Sequence, residues 1–239
     1  MGTTRTALVT GGSAGLGRAL ARGLADHGWE VVVTGRTEER LRAVAAGSPG
    51  VTPVVGDVTD SRHRAALVAE VTRRGGLDLL VNNASALGPS PMPALRDYPE
   101  PALAEVFDTD VLAPLALTAA LLPWVRAAGG VVVNITSDAA IEAYPGWGGY
   151  GSAKAALDRA SAVLAVEEPD LAVYAFDPGD MRTAMHQAAF PGEDISDRPE
   201  PETVVPAVLR LLDERPPSGR YRAADLTAGR PADPVGVRQ

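Results

Sequence analysis

Apolar and polar positions alternate between two textures along the 239-residue chain. Short runs dense in Val, Leu and Ala recur: "RTALVT", "EVVVTG", "VTPVVG", "LDLLVNNA", "GVVVNITS" and, last in the series, "LAVYAFDPG". They lack the in–out alternation of a strand with one wet face, and so predict strands of a parallel sheet covered on both sides. Between them lie stretches with helical spacing: "GRALARGLADHG", "TEERLRAVAAG", "DSRHRAALVAEVTRRG", a long helix from about Glu100 to Ala128, and a helix carrying Tyr150. Repeated strand–helix order implies right-handed crossovers and a doubly wound α/β fold. No stretch reads as a linker or repeat, so one domain over residues 1–239 is expected. The segment 183–202, "TAMHQAAFPGEDISDRPEPE", breaks the pattern and reads as either a surface connection or a flap over a site.

Composition narrows the chemistry. The hydrophobic share of 46% and charged share of 22% are ordinary for a globular protein. A formal charge of −8 argues against nucleic acid as a partner, because phosphate binding needs a basic face. There is no cysteine, which excludes disulfides, thiolate metal sites and thiol catalysis and suits a reducing interior. His27, His63 and His186 are far apart, so no metal site is expected. The first residues lack the charge and apolar run of a secretory leader, and the uncharged stretch Val111–Val125 reads as too short to span a bilayer. A cytoplasmic protein with no membrane partner is the expectation.

Two local patterns carry candidate chemistry. "TGGSAGLGRAL" follows the first strand and opens a helix, with Gly11, Gly15 and Gly17 spaced as G-x-x-x-G-x-G. Glycines there allow a tight turn and close approach of a pyrophosphate to the helix N-terminus. A nucleoside-triphosphate loop fails, since Arg18 and Ala19 stand where Lys and Ser/Thr are needed. The second strand ends in Gly35-Arg36 rather than in an acid, which favours a 2′-phosphate and hence NADP(H) over NAD(H).

The second pattern is "GGYGSAKAAL", in which Tyr150 and Lys154 stand four apart on one helix face. A neighbouring ammonium pulls a phenol's pKa down and makes it a usable acid or base. The small residues Gly151, Ser152 and Ala153 would admit a cofactor or substrate closely. Taken alone, the spacing equally fits a half-buried tyrosine beside a solvated lysine.

Together with Thr10-Gly11, Asn82-Asn83-Ala84, Ser137 and Pro178-Gly179, these motifs occur in the order found in short-chain dehydrogenase/reductases, and the chain resembles that family from Arg5 to about Leu226. Within it, "NNASALG", "GWGGYGSAKAALD" and "SGRYRAAD" resemble the sepiapterin reductase and benzil reductase type. Where the former carries a pterin-holding aspartate, this chain has Ala223, with Asp225 two residues on. The resemblance implies a Rossmann-like fold and a catalytic set of Tyr150 as proton donor, Lys154 as its activator, Ser137 as orienting donor and Asp110 at the relay position. It implies cofactor binding by Gly11, Ser13, Gly15, Leu16, Gly17, Arg36, Asp57, Val58, Asn83, Pro178, Gly179 and Met181, as well as Tyr150 and Lys154. Leu87, Tyr144, Trp147, Met185 and Phe190 are candidates for an apolar substrate pocket.

Two positions depart from the family pattern. Asp110 replaces an asparagine whose backbone carbonyl holds a relay water, so it is either tolerated or a charge that binds Lys154 or raises the pH optimum. Ser85 replaces a glycine and would narrow the cofactor groove. The expected activity is NADPH-dependent reduction of a small or medium ketone, aldehyde or 1,2-diketone. The alternatives are a non-catalytic NADP-binding sensor and an NADP-linked alcohol dehydrogenase. The family's pairing of the long helix and the Tyr150 helix between subunits implies a homodimer or homotetramer.

Overall fold

A computed structural model describes residues 4–228; the outermost parts of the 1–239 unit expected from sequence lie outside the described residues. Among the described residues, seven parallel strands form one sheet in the order β3-β2-β1-β4-β5-β6-β7. They are β1 Thr6–Thr10, β2 Glu30–Gly35, β3 Val51–Val55, β4 Leu79–Asn82, β5 Val131–Ile135, β6 Ala172–Asp177 and β7 Gly219–Arg222. The described residues also form helices α1 Gly15–Asp26, α2 Glu38–Ala46, α3 Ser61–Arg74, α4 Glu100–Phe107, α5 Ala113–Ala127, α6 Gly148–Glu167, α7 Ala184–Ala189, α8 Val205–Glu214 and α9 Ala223–Thr227.

Successive strand residues feed opposite layers. Ala7, Val9, Val31, Val33, Val133 and Phe176 pack with Leu20 and Leu24 of α1 and Val208 and Leu211 of α8. Leu8, Val32, Leu80, Val132 and Val173 pack with Leu67 and Val71 of α3 and Leu117, Leu121 and Val125 of α5. Both faces being dry explains why the strand sequences show no polar alternation.

Two elements differ from the sequence reading. β7 is an additional strand, hidden in "SGRYR" because it is four residues long and carries an arginine at every second position. The long helix is also not uniform: between α4 and α5, Asp108–Leu112 forms a π-helical turn. Such a turn inserts an extra residue into the helical path and re-aims the side chains around it. Here it carries Asp110 fully into the interior. The continuous helix from Glu100 to Ala127 has 28 residues and, unlike Val111–Val125 alone, is long and apolar enough to cross a membrane by length and composition. Its Leu117, Leu121 and Val125 belong to the sheet core.

Candidate active site

Every strand runs in the same direction, so the loops leaving their C-terminal ends share one edge, and those that follow β1 to β6 enclose a cavity of about 750 Å³ there. That volume lies within the range of small-molecule sites. At one end it is lined by Ser13, Gly35, Arg36, Asp57 and Val58, and at the other by Ser137, Trp147, Tyr150 and Lys154.

The glycine turn forms the floor. Gly11 and Gly15 have φ of +67° and +50°, the left-handed region that favours glycine. Gly17 points away from the cavity: a Cβ there would stand 2.4 Å from the Gly11 carbonyl oxygen and 2.5 Å from Asn83 Nδ2. Asn83 locks this packing by donating from Nδ2 to the Thr10 carbonyl at 2.8 Å, while the Thr10 hydroxyl accepts from the Asn83 and Ala84 amides at 2.9 and 3.0 Å. Helix α1 begins without a side-chain cap, with Ala14 at its N-cap. Uncapped N–H groups at a cavity wall suit an anionic group. The fit to a dinucleotide therefore rests on the turn itself as well as on the cavity's length.

At the far end of β2, the Arg36 guanidinium is largely exposed and lies 3.9 Å from Asp57 Oδ2. Burial pushes the Asp57 carboxyl up, but hydrogen bonds from Thr59 and the charges of Arg36 and His63 outweigh it and hold the group below its usual value.

At the other end, α6 presents Tyr150 and Lys154, with the ammonium 5.4 Å from the Tyr150 ring centroid. Lys154 Nζ donates to the Ile135 carbonyl at 3.0 Å and pairs with Asp110 Oδ1 at 2.8 Å. Asp110 also accepts from the Ala86 amide at 2.9 Å and from the Ser85 hydroxyl. Of the open readings of Asp110, binding to Lys154 is the one observed. Ser85 lines the cavity, but its hydroxyl is turned to Asp110.

Burial pushes the Tyr150 phenol up and Lys154 pulls it down. Asp110 pushes it up again and hydrogen bonding with Ser85 and Ser137 pulls it down, with a net value above the ordinary one. The lysine thus acts in the expected direction and is outweighed. Burial lowers Lys154, yet Asp110, Tyr150 and Asp158 more than compensate, and it too ends above its usual value.

The small residues after Tyr150 serve a different neighbour from the one expected. A Cβ on Gly151 would come 2.6 Å from the Ala139 carbonyl oxygen, and Ala153 packs with Val106 and Val111. They seat α6 against the Ser137 turn and the long helix, and neither lines the cavity.

Ser137 follows β5. Its hydroxyl donates to Asp138 Oδ1 at 3.0 Å and accepts from the Ala139 amide at 3.2 Å. Leu87, Trp147 and Met185 line the cavity. Phe190 stands behind Trp147, ring centroids 5.9 Å apart. Tyr144 is outside the lining, and its hydroxyl donates to Asp138 Oδ2 at 3.0 Å. Pro178, Gly179 and Met181 complete one wall. The segment 183–202 divides: Thr183, Ala184, Met185, His186 and Ala189 line the cavity, whereas the residues beyond Phe190 are largely exposed.

Sequence reasoning passed over three residues. Asp138 accepts the Ser137 and Tyr144 hydroxyls, and His186, stacked on Phe190 at 4.9 Å, keeps a buried Nε2 without a partner at the cavity wall. Arg220 of β7 is buried beneath Ser137, donating to its carbonyl at 2.9 Å, to Asp177 at 3.0 Å and to Asp158 of α6 at 3.1 Å. Asp177 in turn accepts from the Gly179 amide at 3.0 Å. One guanidinium therefore ties together the ends of β5 and β6 and the helix that carries Tyr150.

Residues 5–194 match the family model described as short chain dehydrogenase. The chain is 39% identical to a serine 3-dehydrogenase of Agrobacterium fabrum over 161 residues, which is 65% of this chain and 63% of that protein. It is 32% identical to the sepiapterin reductase of Xenopus tropicalis over 95% of this chain and 89% of that one. A short-chain dehydrogenase structure from Shigella flexneri, complexed with NADP, superposes with a TM-score of 0.86 at 31% identity, covering 92% of this chain and 97% of that one. The chain belongs to the short-chain dehydrogenase family and is an oxidoreductase of that family.

Proposed function

We propose that the protein is an NADPH-dependent carbonyl reductase, acting on a small or medium ketone, aldehyde or 1,2-diketone. The observation that carries this reading is a single cavity running from Arg36, suited to a 2′-phosphate, to Tyr150, suited to proton transfer. The Shigella flexneri relative's complex with NADP supports the same cofactor. When bound, NADPH supplies the hydride. Ser137 orients the carbonyl oxygen and stabilises the charge that develops on it, turning its hydroxyl from Asp138 to the substrate. Tyr150 gives that oxygen its phenolic proton. Lys154 holds the Tyr150 side of the site and is itself fixed by Ile135 and Asp110. Gly11, Ser13, Gly15, Leu16, Asp57, Val58, Asn83, Pro178, Gly179 and Met181 serve the cofactor. Leu87, Trp147 and Met185 exclude water around the reacting carbon, and Phe190 supports them.

The pterin is not the substrate in this reading. Ala223 and Asp225 lie outside the cavity lining, and Asp225 is paired with Arg222 at 2.8 Å. The name of the Agrobacterium relative favours a second reading, NADP-linked oxidation of a small hydroxy compound through the same residues. Exposed Leu112 and Leu115 near the start of α5, with Val163 and Val166 of α6, support a homodimer or homotetramer, and the cysteine-free sequence suits the cytoplasm.

The test is NADPH absorbance followed in the presence of a panel of aldehydes, ketones and 1,2-diketones. Carbonyl-dependent consumption is expected. NADPH binding without turnover would turn the assignment to a sensor, and NADP reduction by alcohols alone would turn it to the second reading.

A further inference from the structure

The buried charges around Tyr150 sum differently from what the tyrosine–lysine pair alone suggests. An ammonium beside a phenol favours the phenolate. Here the ammonium of Lys154 is matched by the carboxylate of Asp110 at 2.8 Å, with side chains 3% and 0% exposed. A neutral ion pair has little net pull on a neighbouring proton, and solvent cannot reach it to screen either charge. Ser85 donates its proton to Asp110 Oδ1 and so helps to hold the carboxylate in place. Asp110 is itself pinned by the Ala86 amide at 2.9 Å and carried inward by the π-helical turn.

We propose that Asp110 is a positioning residue that holds Tyr150 in its protonated form, so that the site is set to donate a proton to a carbonyl oxygen rather than to accept one from an alcohol. The inference rests on the carbonyl-reductase reading and gives it a direction. Reduction consumes the Tyr150 proton, whereas oxidation of an alcohol begins with the phenolate taking the hydroxyl proton. The groups facing Asp110 are Lys154 and Tyr150 from α6, Ser85 and the Ala86 amide from the loop after β4, and Tyr98 from the segment before α4. Tyr98 is raised by burial and by the same Asp110 charge, and Asp158 acts on the lysine from one turn along α6.

The test reads Tyr150 directly, without substrate or cofactor. Tyrosinate formation is followed by ultraviolet difference absorbance as pH rises, with the Tyr150→Phe protein subtracted and circular dichroism reporting the fold. In Asp110→Asn, the Tyr150 step is expected about one to three pH units lower than in the unaltered protein. Asp110→Ser removes the same charge, should lower the step likewise, and stands in if Asp110→Asn does not fold. For carbonyl reduction, the alkaline limb of kcat/KM should move down with the step. An unchanged or higher step in these variants, or no step in any of the proteins before unfolding, overturns the proposal. Because the titration needs no turnover, a failure to find a reducible carbonyl would count against the functional reading alone.

Discussion

Replacing Arg220 by methionine is the sharpest perturbation of the scaffold under the site. Methionine keeps much of the apolar stem's volume and removes the guanidinium. It leaves Asp158 and Asp177, whose side chains are 15% and 6% exposed, facing each other without their shared cation. Breaking a buried pair by removing one partner costs about 3–5 kcal/mol. For a chain of this size each kcal/mol shifts Tm by about 2–4 °C, so the expected fall is about 6–20 °C at neutral pH. The pH dependence carries the diagnostic sign. Burial pushes the Asp158 carboxyl above its usual value, with Thr136 and Arg220 pulling it down and Asp177 adding to the rise. A carboxyl raised in the folded state binds its proton more tightly there than in the unfolded chain. Its contribution favours folding at low pH and is lost as pH rises through the folded value. Removing Arg220 takes away a downward pull and moves that value higher. The destabilisation in Arg220→Met should therefore be greatest at neutral pH and shrink on acidification toward the usual carboxylate range. The assay is thermal unfolding by circular dichroism across that interval, for both proteins. A Tm within about 2 °C of the unaltered protein at neutral pH, less than the shift from 1 kcal/mol, would refute the reasoning, as would a difference independent of pH.

Four further outcomes follow from the site. Tyr150→Phe should retain NADPH binding, measured by fluorescence titration, and lose about 10²–10⁴-fold in kcat. The unaltered protein should prefer NADPH to NADH by about 10–100-fold in kcat/KM, from charge-assisted hydrogen bonds between Arg36 and the 2′-phosphate. Gly35→Asp combined with Arg36→Leu should invert that preference, and the new side chain must nudge Ser13 Oγ, which lies 3.3 Å from a Cβ at position 35. Gly17→Ala should cost about 1–3 kcal/mol of stability in urea unfolding and weaken NADPH binding, because the methyl drives into the Gly11 carbonyl.

The doubly wound sheet was legible because its cause is written along the chain: strands dry on both faces are continuous in Val and Leu, and their order alternates with helices. The glycine turn, with its left-handed Gly11 and Gly15, was legible for a similar reason, since few residues can replace glycine at those positions. What escaped depends on contacts between distant positions. Arg220 looks like a surface residue in "SGRYR", and only the arrival of Asp158 and Asp177 from other elements makes it an interior one. The π-helical turn leaves no periodic trace in "FDTDVLAP", so from sequence the inward aim of Asp110 and its pairing with Lys154 stand as one possibility among several. Gly151 shows a different limit. Its smallness was visible, but the Ala139 carbonyl that requires it was not.

The arrangement of strands also bears on the order in which the chain can become an enzyme. Because β1 lies between β2 and β4, the glycine turn gains its lock only when Asn83, 73 residues beyond Thr10, has been made and docked. The Ser137 loop waits longer, for an arginine 83 residues further along and on the last strand of the sheet. Closing such distant contacts is entropically costly and tends to come late. A nascent chain that has already formed β1 through β5 therefore holds most of the core and none of the arginine tie beneath Ser137. Competence for chemistry arrives with β7, in one late step rather than by degrees.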